Sequence, residues 1–275
     1  MNYDKELIFV LDLDNTIIGN CTYQSDIHIL HMYQKKYNIK IINNNLVASY
    51  KENSKLIRPY FEYFYNKIKK IYPNCYIFIY TASETKWAFK EISLIEKGLN
   101  IKFSRPIFTR QDCIINSKGQ YKKLISKILP KIKKITNNLN ENFRDNLVII
   151  DNNNTFNDYA SNFILCKSYE YIHFIDIWEN INKDFYKYTE LTNYINKLIK
   201  NKKLCKYNIH ENISNNELEK LYKWKYKKYK KINKINNNNI NDNFWKILTD
   251  SIISNNFYKF NKDTITHLQK ITINQ

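Results

Sequence analysis

The sequence predicts an α/β fold, a mostly parallel sheet with helices on both faces, followed by a basic, mainly helical C-terminal extension. Three observations predict it. Over residues 1–180, short apolar runs of strand length alternate with amphipathic helical patterns, which is the signature of strands joined by covering helices. Several of those runs stop directly at a carboxylate or hydroxyl residue, as strands do where a parallel sheet meets its ligand crevice. Beyond about residue 200 the chain turns polar and lysine-rich. We therefore expect an α/β domain over residues 1–182 and an extension over 183–275, a division that a chain of 275 residues readily accommodates.

Taken in order, residues 7–12 read as a buried strand ending in polar residues. Residues 59–72 are helical, because Phe61, Phe64 or Tyr65, and Ile68 recur at helical spacing behind a proline suited to a first turn. Residues 75–80 form a second buried strand, followed by a helix over 84–97 that Gly98 is expected to stop. A short strand over 107–109 precedes a lysine-rich helix over 121–135, interrupted near Pro130. Residues 147–150 make a third buried strand ending at Asp151, and 163–166 a fourth. The asparagine run at 236–239 reads as a linker. No internal repeat is present.

Composition narrows the setting. Hydrophobic residues make up 43% of the chain, enough for a real core, yet no apolar run is long enough to span a membrane. The N-terminus lacks a basic stretch followed by an apolar one, so no secretory signal is read there. Five scattered cysteines without a CxxC pair argue against a disulfide framework and a zinc site. The expected location is intracellular, cytoplasmic or nuclear. The net charge of +18 is discounted, because Lys, Asn, Ile and Tyr share A/T-rich codons and lysine enrichment follows from them. It divides into +9 over residues 1–200 and +9 over the much shorter 201–275, so only the second stretch is dense enough to suggest a partner.

The chemistry is concentrated in Asp12-Leu-Asp-Asn-Thr16, directly after the first strand. Two aspartates at i and i+2 there point into one crevice, and such a pair repels itself unless a cation lies between them, which implies Mg²⁺. One carboxylate can attack phosphorus while the other protonates the leaving oxygen and then activates water. The plain alternative is a loop of turn-forming residues. Thr81, after the second strand, can hydrogen-bond a phosphoryl oxygen, although Thr81-x-x-Glu84 is also a helix-capping box, the favoured reading of that residue taken alone. A cation is needed beside the phosphate. Lysine is too abundant for Lys122 or Lys123 to stand out, and the sequence does not separate the two. Arg110 is more telling in a chain with four arginines, three of which (Arg58, Arg105, Arg110) lie in or beside these segments. Asp151 and Asn152, after the third strand, are hard oxygen ligands that would complete a Mg²⁺ site with Asp12.

These motifs resemble those of the haloacid dehalogenase (HAD) phosphatases. More narrowly, the chain resembles the CTD-type phosphatases of that superfamily, the FCP/SCP-like or NLI-interacting-factor-like family. The likeness rests on residues 11–17 (LDLDNTI), 56–59 (LIRP), 80–83 (YTAS), 108–113 (FTRQDC), the lysine near 122, and 149–152 (IIDN), and covers roughly residues 5–180. It implies a HAD-like fold without a large cap, Asp12 as nucleophile, and Asp14 as acid/base and backbone ligand of Mg²⁺. It also implies Thr81 and Lys122 as phosphate contacts, Asp151 and Asn152 at the metal, and Thr16, Ser83 and Arg110 toward substrate. Two stretches are longer than the family pattern, 17–57 and 122–151. The region after residue 200 does not resemble the BRCT domain of larger relatives.

The expected activity is that of a Mg²⁺-dependent phosphoserine/phosphothreonine protein phosphatase working through an aspartyl-phosphate, with an RNA polymerase C-terminal tail as one candidate substrate. Removal of phosphate from nucleic-acid ends and a non-catalytic phosphoprotein-binding module are the alternatives; the intact Asp12–Asp14 pair speaks against the second. The expected partner is a phosphorylated protein or peptide tail, and no membrane. Nucleic acid is a further partner class through the basic helix over residues 217–232, which carries Leu218, Leu221, Tyr222, Tyr229 and Ile232 near one face. Packing of that aromatic stripe on the phosphatase domain is the favoured reading of the helix. Residues 244–248 suggest one more packed helix.

Overall fold

The computed structural model describes residues 6–19, 24–39, 55–117, 119–136, 141–154, 156–171, 181–200, 214–238 and 242–273. In chain order its elements are β1 (Ile8–Leu11), α1 (Gln24–Tyr37), α2 (Phe61–Ile71), β2 (Tyr76–Ile79), α3 (Thr85–Leu99), β3 (Ile114–Ile115), β4 (Tyr121–Lys122) and α4 (Ile125–Thr136). There follow β5 (Leu147–Asp151), β6 (Phe163–Leu165), α5 (Thr189–Lys200), α6 (Asn215–Asn238), α7 (Phe244–Ser254) and α8 (Lys262–Ile273). The chain forms two compact units. One comprises residues 1–20, 45–171 and 239–275; the other comprises 21–44 and 172–238. The units interleave along the sequence instead of following one another as 1–182 and 183–275.

The first unit is the expected α/β fold. Its sheet is fully parallel in the order β2-β1-β5-β6, so the earliest strand lies inside it. Alternate residues of β1 serve opposite faces, as the strand period of two requires. Ile8 and Val10 join Ile125, Ile128 and Ile132 of α4 in one buried cluster. On the other face Phe9 meets Phe64 of α2 at 5.4 Å and Phe260 at 5.5 Å between ring centroids. Helices therefore cover both faces.

Several expectations are corrected in detail. Gly98 lies inside α3, and the helix stops one turn position later at Asn100, whose left-handed φ of 53° an asparagine tolerates. The short strand over 107–109 is reduced to one bridge, Tyr80 with Phe108, because Ser104 and Phe108 lie against β2 only at intervals. The lysine-rich helix starts at Ile125, not 121. Tyr121 and Lys122 instead pair antiparallel with Ile114 and Ile115, and the connecting turn runs through Gly119 at φ 71°, a backbone setting that favours glycine.

The segment after residue 239 belongs to the first unit. Trp245 of α7 is fully buried between Phe61 and Phe64, at 5.1 and 4.6 Å. Gln269 of α8 accepts from the Leu165 amide at 2.6 Å and donates to its carbonyl at 3.0 Å, so one side chain satisfies the outer edge of β6.

In the second unit, Tyr33 of α1 packs edge-on against Phe185 at 4.9 Å and its hydroxyl accepts from the Asn182 amide at 3.0 Å. Leu218, Tyr222, Lys225 and Tyr229 form the buried face of α6, at spacings of four, three and four. Tyr222 stacks on Tyr186 at 6.1 Å. Leu221 is only half-buried, and the side chain of Ile232 lies outside the described residues. The linker expected at 236–239 is helical up to Asn238.

Candidate active site

Strand register builds the site. Leu11 aligns with Ile79 on one side and Ile150 on the other, so Asp12, Tyr80 and Asp151 arrive together at the carboxyl edge of three adjacent strands. After Asp12 the chain folds back at once: Ile17 and Ile18 donate to the Leu13 carbonyl, and Asn15 donates to that of Ile18 at 2.7 Å. Closing so small a loop needs a left-handed residue, supplied by Asn15 at φ 62°. Its amide also donates to the Tyr169 carbonyl at 2.9 Å. At the far side of the loop, Gly19 admits Tyr171 so closely that a Cβ there would lie 2.7 Å from the Tyr171 Cβ.

The expected lysine position is corrected. Lys122 is a half-buried β4 residue opposite Ile114. Lys123 is the buried one, with Nζ 2.5 Å from Asp12 Oδ1 and 2.5 Å from Asp151 Oδ2. It also donates to the Tyr80 carbonyl at 3.2 Å. The Tyr80 hydroxyl fixes that segment: it donates to the Asp112 carbonyl at 2.8 Å and accepts from the Leu124 amide at 3.3 Å. Adjacent residues of a strand face opposite ways, so the turn at Gly119 decides which lysine points inward.

Asp14 faces the second strand's end. Its Oδ2 accepts from Ser83 Oγ at 2.7 Å and from Thr81 Oγ1 at 3.4 Å. Thr81 is therefore not the cap of α3, whose N-cap is Glu84. Thr16 joins the first and third motifs, with Oγ1 3.3 Å from both Asp12 Oδ2 and Asn152 Oδ1. Asp151 Oδ1 accepts from the Asn153 amide at 2.7 Å. A cavity of about 360 Å³ is lined by Asp12, Asp14, Thr81, Ser83 and Lys123 and also reaches Tyr121 and Asn153, two lining residues the sequence reading did not single out.

The three arginines part ways. Arg110 stands near the rim: its Nε donates to the Ala82 carbonyl at 2.8 Å, it pairs with Glu84 at 3.3 Å, and its guanidinium lies 4.8 Å from the centre of the Tyr121 ring. Arg58 is buried and pairs with Asp242 at 2.9 Å, with the Phe244 ring at 4.7 Å. Arg105 pairs with Glu96.

Two buried carboxylates, Asp12 and Asp151, and the half-buried Asp14 against one ammonium leave excess negative charge. Burial, then the charges of Asp151 and Asp14, push Asp12 up to about 7, although Lys123 opposes them. Burial raises Asp14 as well, partly offset by its hydrogen bond from Ser83, the Lys123 charge and Thr81. Burial tends to deprotonate Lys123, but Asp12 and Asp151 outweigh it and hold the ammonium charged. Burial and the charge of Asp14 carry Glu91, on α3, to about 7.

A divalent cation would relieve this excess. Asp14 Oδ1 is buried without a hydrogen-bond partner, and Asp12 Oδ2 and Asn152 Oδ1 share one hydroxyl. Among the described residues no three Asp, Glu, His or Cys side chains converge into a ready-made metal cage. The oxygens that could hold such a cation are those of Asp12, Asp151 and Asn152, with the Asp14 backbone carbonyl that the resemblance implies.

A model of the NLI interacting factor-like phosphatases matches residues 7–204. The chain belongs to that family. The match spans every motif of the site, from β1 through Asn152. Among solved structures, the family member is similar to Fcp1, an essential RNA polymerase II CTD phosphatase, at 20% identity and a TM-score of 0.38. A point variant of the fission yeast RNA polymerase II CTD phosphatase Fcp1 bound to beryllium fluoride gives the same values. In both cases the alignment covers 86% of this chain and 66% of the other, just under two thirds of the longer protein. Among curated proteins none matches the chain. Among the described residues no helix is long and apolar enough to cross a membrane.

Proposed function

We propose that the protein hydrolyses phosphoserine or phosphothreonine in an extended protein tail through a phosphorylated Asp12. The observation that carries this reading is the division of labour between the two aspartates: Asp12 is gripped by Lys123, whereas Asp14 is turned toward the hydroxyls of Ser83 and Thr81, and burial raises its carboxyl above the ordinary value.

In the first step an Asp12 carboxylate oxygen attacks phosphorus, the bond from phosphorus to the seryl oxygen breaks, and that oxygen takes the proton of Asp14. In the second, Asp14, now ionised, accepts a proton from water as the water oxygen attacks phosphorus, releasing phosphate and restoring Asp12. Lys123 keeps Asp12 anionic between turnovers and offsets charge on the phosphoryl group, and Thr81 donates to its oxygens. Mg²⁺, held by Asp12, Asp151, Asn152 and the Asp14 backbone carbonyl, would neutralise the phosphoryl charge further. Arg110 and Tyr121 flank the cavity where residues next to the phosphorylated one would lie. A phosphorylated polymerase tail, the substrate named for Fcp1, is one chain of this kind.

The test is turnover of phosphoserine peptides and an aryl phosphate by purified protein, with Mg²⁺ and in excess chelator. Wild type should hydrolyse both with Mg²⁺, and Asp12→Asn neither while staying folded. Full activity in chelator would sink the metal assignment, and activity retained by Asp12→Asn would remove that residue as nucleophile.

A further inference from the structure

The two readings of the basic helix, packing or nucleic-acid contact, turn out to use different faces of it. Leu218, Tyr222, Lys225 and Tyr229 are spent on packing. Opposite them, Lys220, Trp224, Lys227 and Lys231 repeat at spacings of four, three and four, and all four are exposed. At 1.5 Å per residue this stripe runs about 16 Å along the helix. Trp224 keeps 48% of its surface exposed, although tryptophan is among the side chains that gain most from burial. Lys228 reaches over its ring, with Nζ 5.4 Å from the centroid, so the aromatic face stands in a cationic setting. Charge is also one-sided. After Glu219 the helix carries eight lysines and no acidic residue up to Asn238.

We propose that this outward face of α6 binds single-stranded nucleic acid, with Lys220, Lys227 and Lys231 against successive phosphates and an unstacked base on Trp224. An acidic protein would satisfy the lysines but has no use for a ring flanked by cations, and a duplex hides its base faces from it. None of these four side chains lines the catalytic cavity, so the face serves to bring the protein to a nucleic acid or to its cargo rather than to react with it.

The experiment uses the full chain and a labelled oligouridylate, with a duplex and polyglutamate as competitors. Wild type should bind with a log–log salt slope of about 0.7 for each phosphate neutralised. Trp224→Ala should weaken binding by about tenfold with an unchanged slope. The pair Lys227→Gln and Lys231→Gln should weaken it and lower the slope by about 1.4. Both variants should keep wild-type melting temperature and aryl phosphatase activity, and Lys262→Gln, on a different helix, should bind as wild type. Binding indifferent to both sets of changes would overturn the proposal. So would equal displacement by polyglutamate, which would make the face a dock for acidic proteins, or equal displacement by duplex.

Discussion

Ser83 Oγ donates a 2.7 Å hydrogen bond to Asp14 Oδ2, so the residue four positions past the second strand sets the orientation of a carboxyl three positions past the first. This bond favours the ionised carboxylate, against the upward push of burial. Ser83→Ala should therefore move the alkaline limb of the pH–rate profile for phosphoserine to higher pH. Loss of one orienting bond should also lower kcat roughly fivefold. An unmoved alkaline limb would detach Asp14 from the general-acid role.

Lys123 and Lys122 should separate cleanly. Lys123→Met leaves Asp12 and Asp151 facing each other without their shared cation. At pH 8 that should abolish turnover and cost about 3–5 kcal/mol of stability. The cost should shrink toward acid pH as Asp12 protonates. Lys122→Met, on the half-buried side of β4, should change stability by less than about 0.5 kcal/mol and leave measurable turnover. Denaturant titrations of both variants at two pH values decide this.

Asp12→Asn should stabilise the chelated protein at neutral pH. The folded-state value of about 7 lies above the ordinary 3.8, so between them the folded state binds the proton more tightly than the unfolded one. Wild-type stability should then fall as pH rises from about 4 to about 7 and level off beyond. The asparagine variant lacks that term. The gain in melting temperature should be near zero at pH 4 and reach a few degrees by pH 7, on the order of 1 kcal/mol. A gain independent of pH would mean that Asp12 ionises in the fold without penalty.

Trp245→Ala should cost about 3–5 kcal/mol, because it empties the space between Phe61 and Phe64. A chain cut near residue 200 should lose more, giving up the Arg58–Asp242 pair and the Phe260 contact with Phe9 as well. Thermal melts of the two would place α7 and α8 within the catalytic unit, or outside it if neither melt moved.

The strands were legible because parallel strands buried on both faces are short, continuous apolar runs, and the residues after them were legible because the sheet's carboxyl edge admits polar groups. Gly98 misled because helix propensity is a weak prior: α3 tolerates a glycine at a cost of about 1 kcal/mol and ends where Asn100 takes the left-handed turn. Lys123 was hidden by the lysine beside it and by a hairpin of two-residue strands, too short to show alternation. Asp242 carried no local signal at all. Its partner, Arg58, lies 184 residues away, and only the folded chain brings them together.

The clasp of Gln269 on Leu165 has a consequence for biosynthesis. Every residue that lines the catalytic cavity has been translated by Asn153, yet the sheet that aligns them stays open along β6 until α8 arrives. Phe9 of β1 likewise waits for Phe260, far along the chain. A nascent chain therefore carries a complete set of reactive groups on an unfinished sheet, and the phosphatase unit closes only when α8 has emerged and docked.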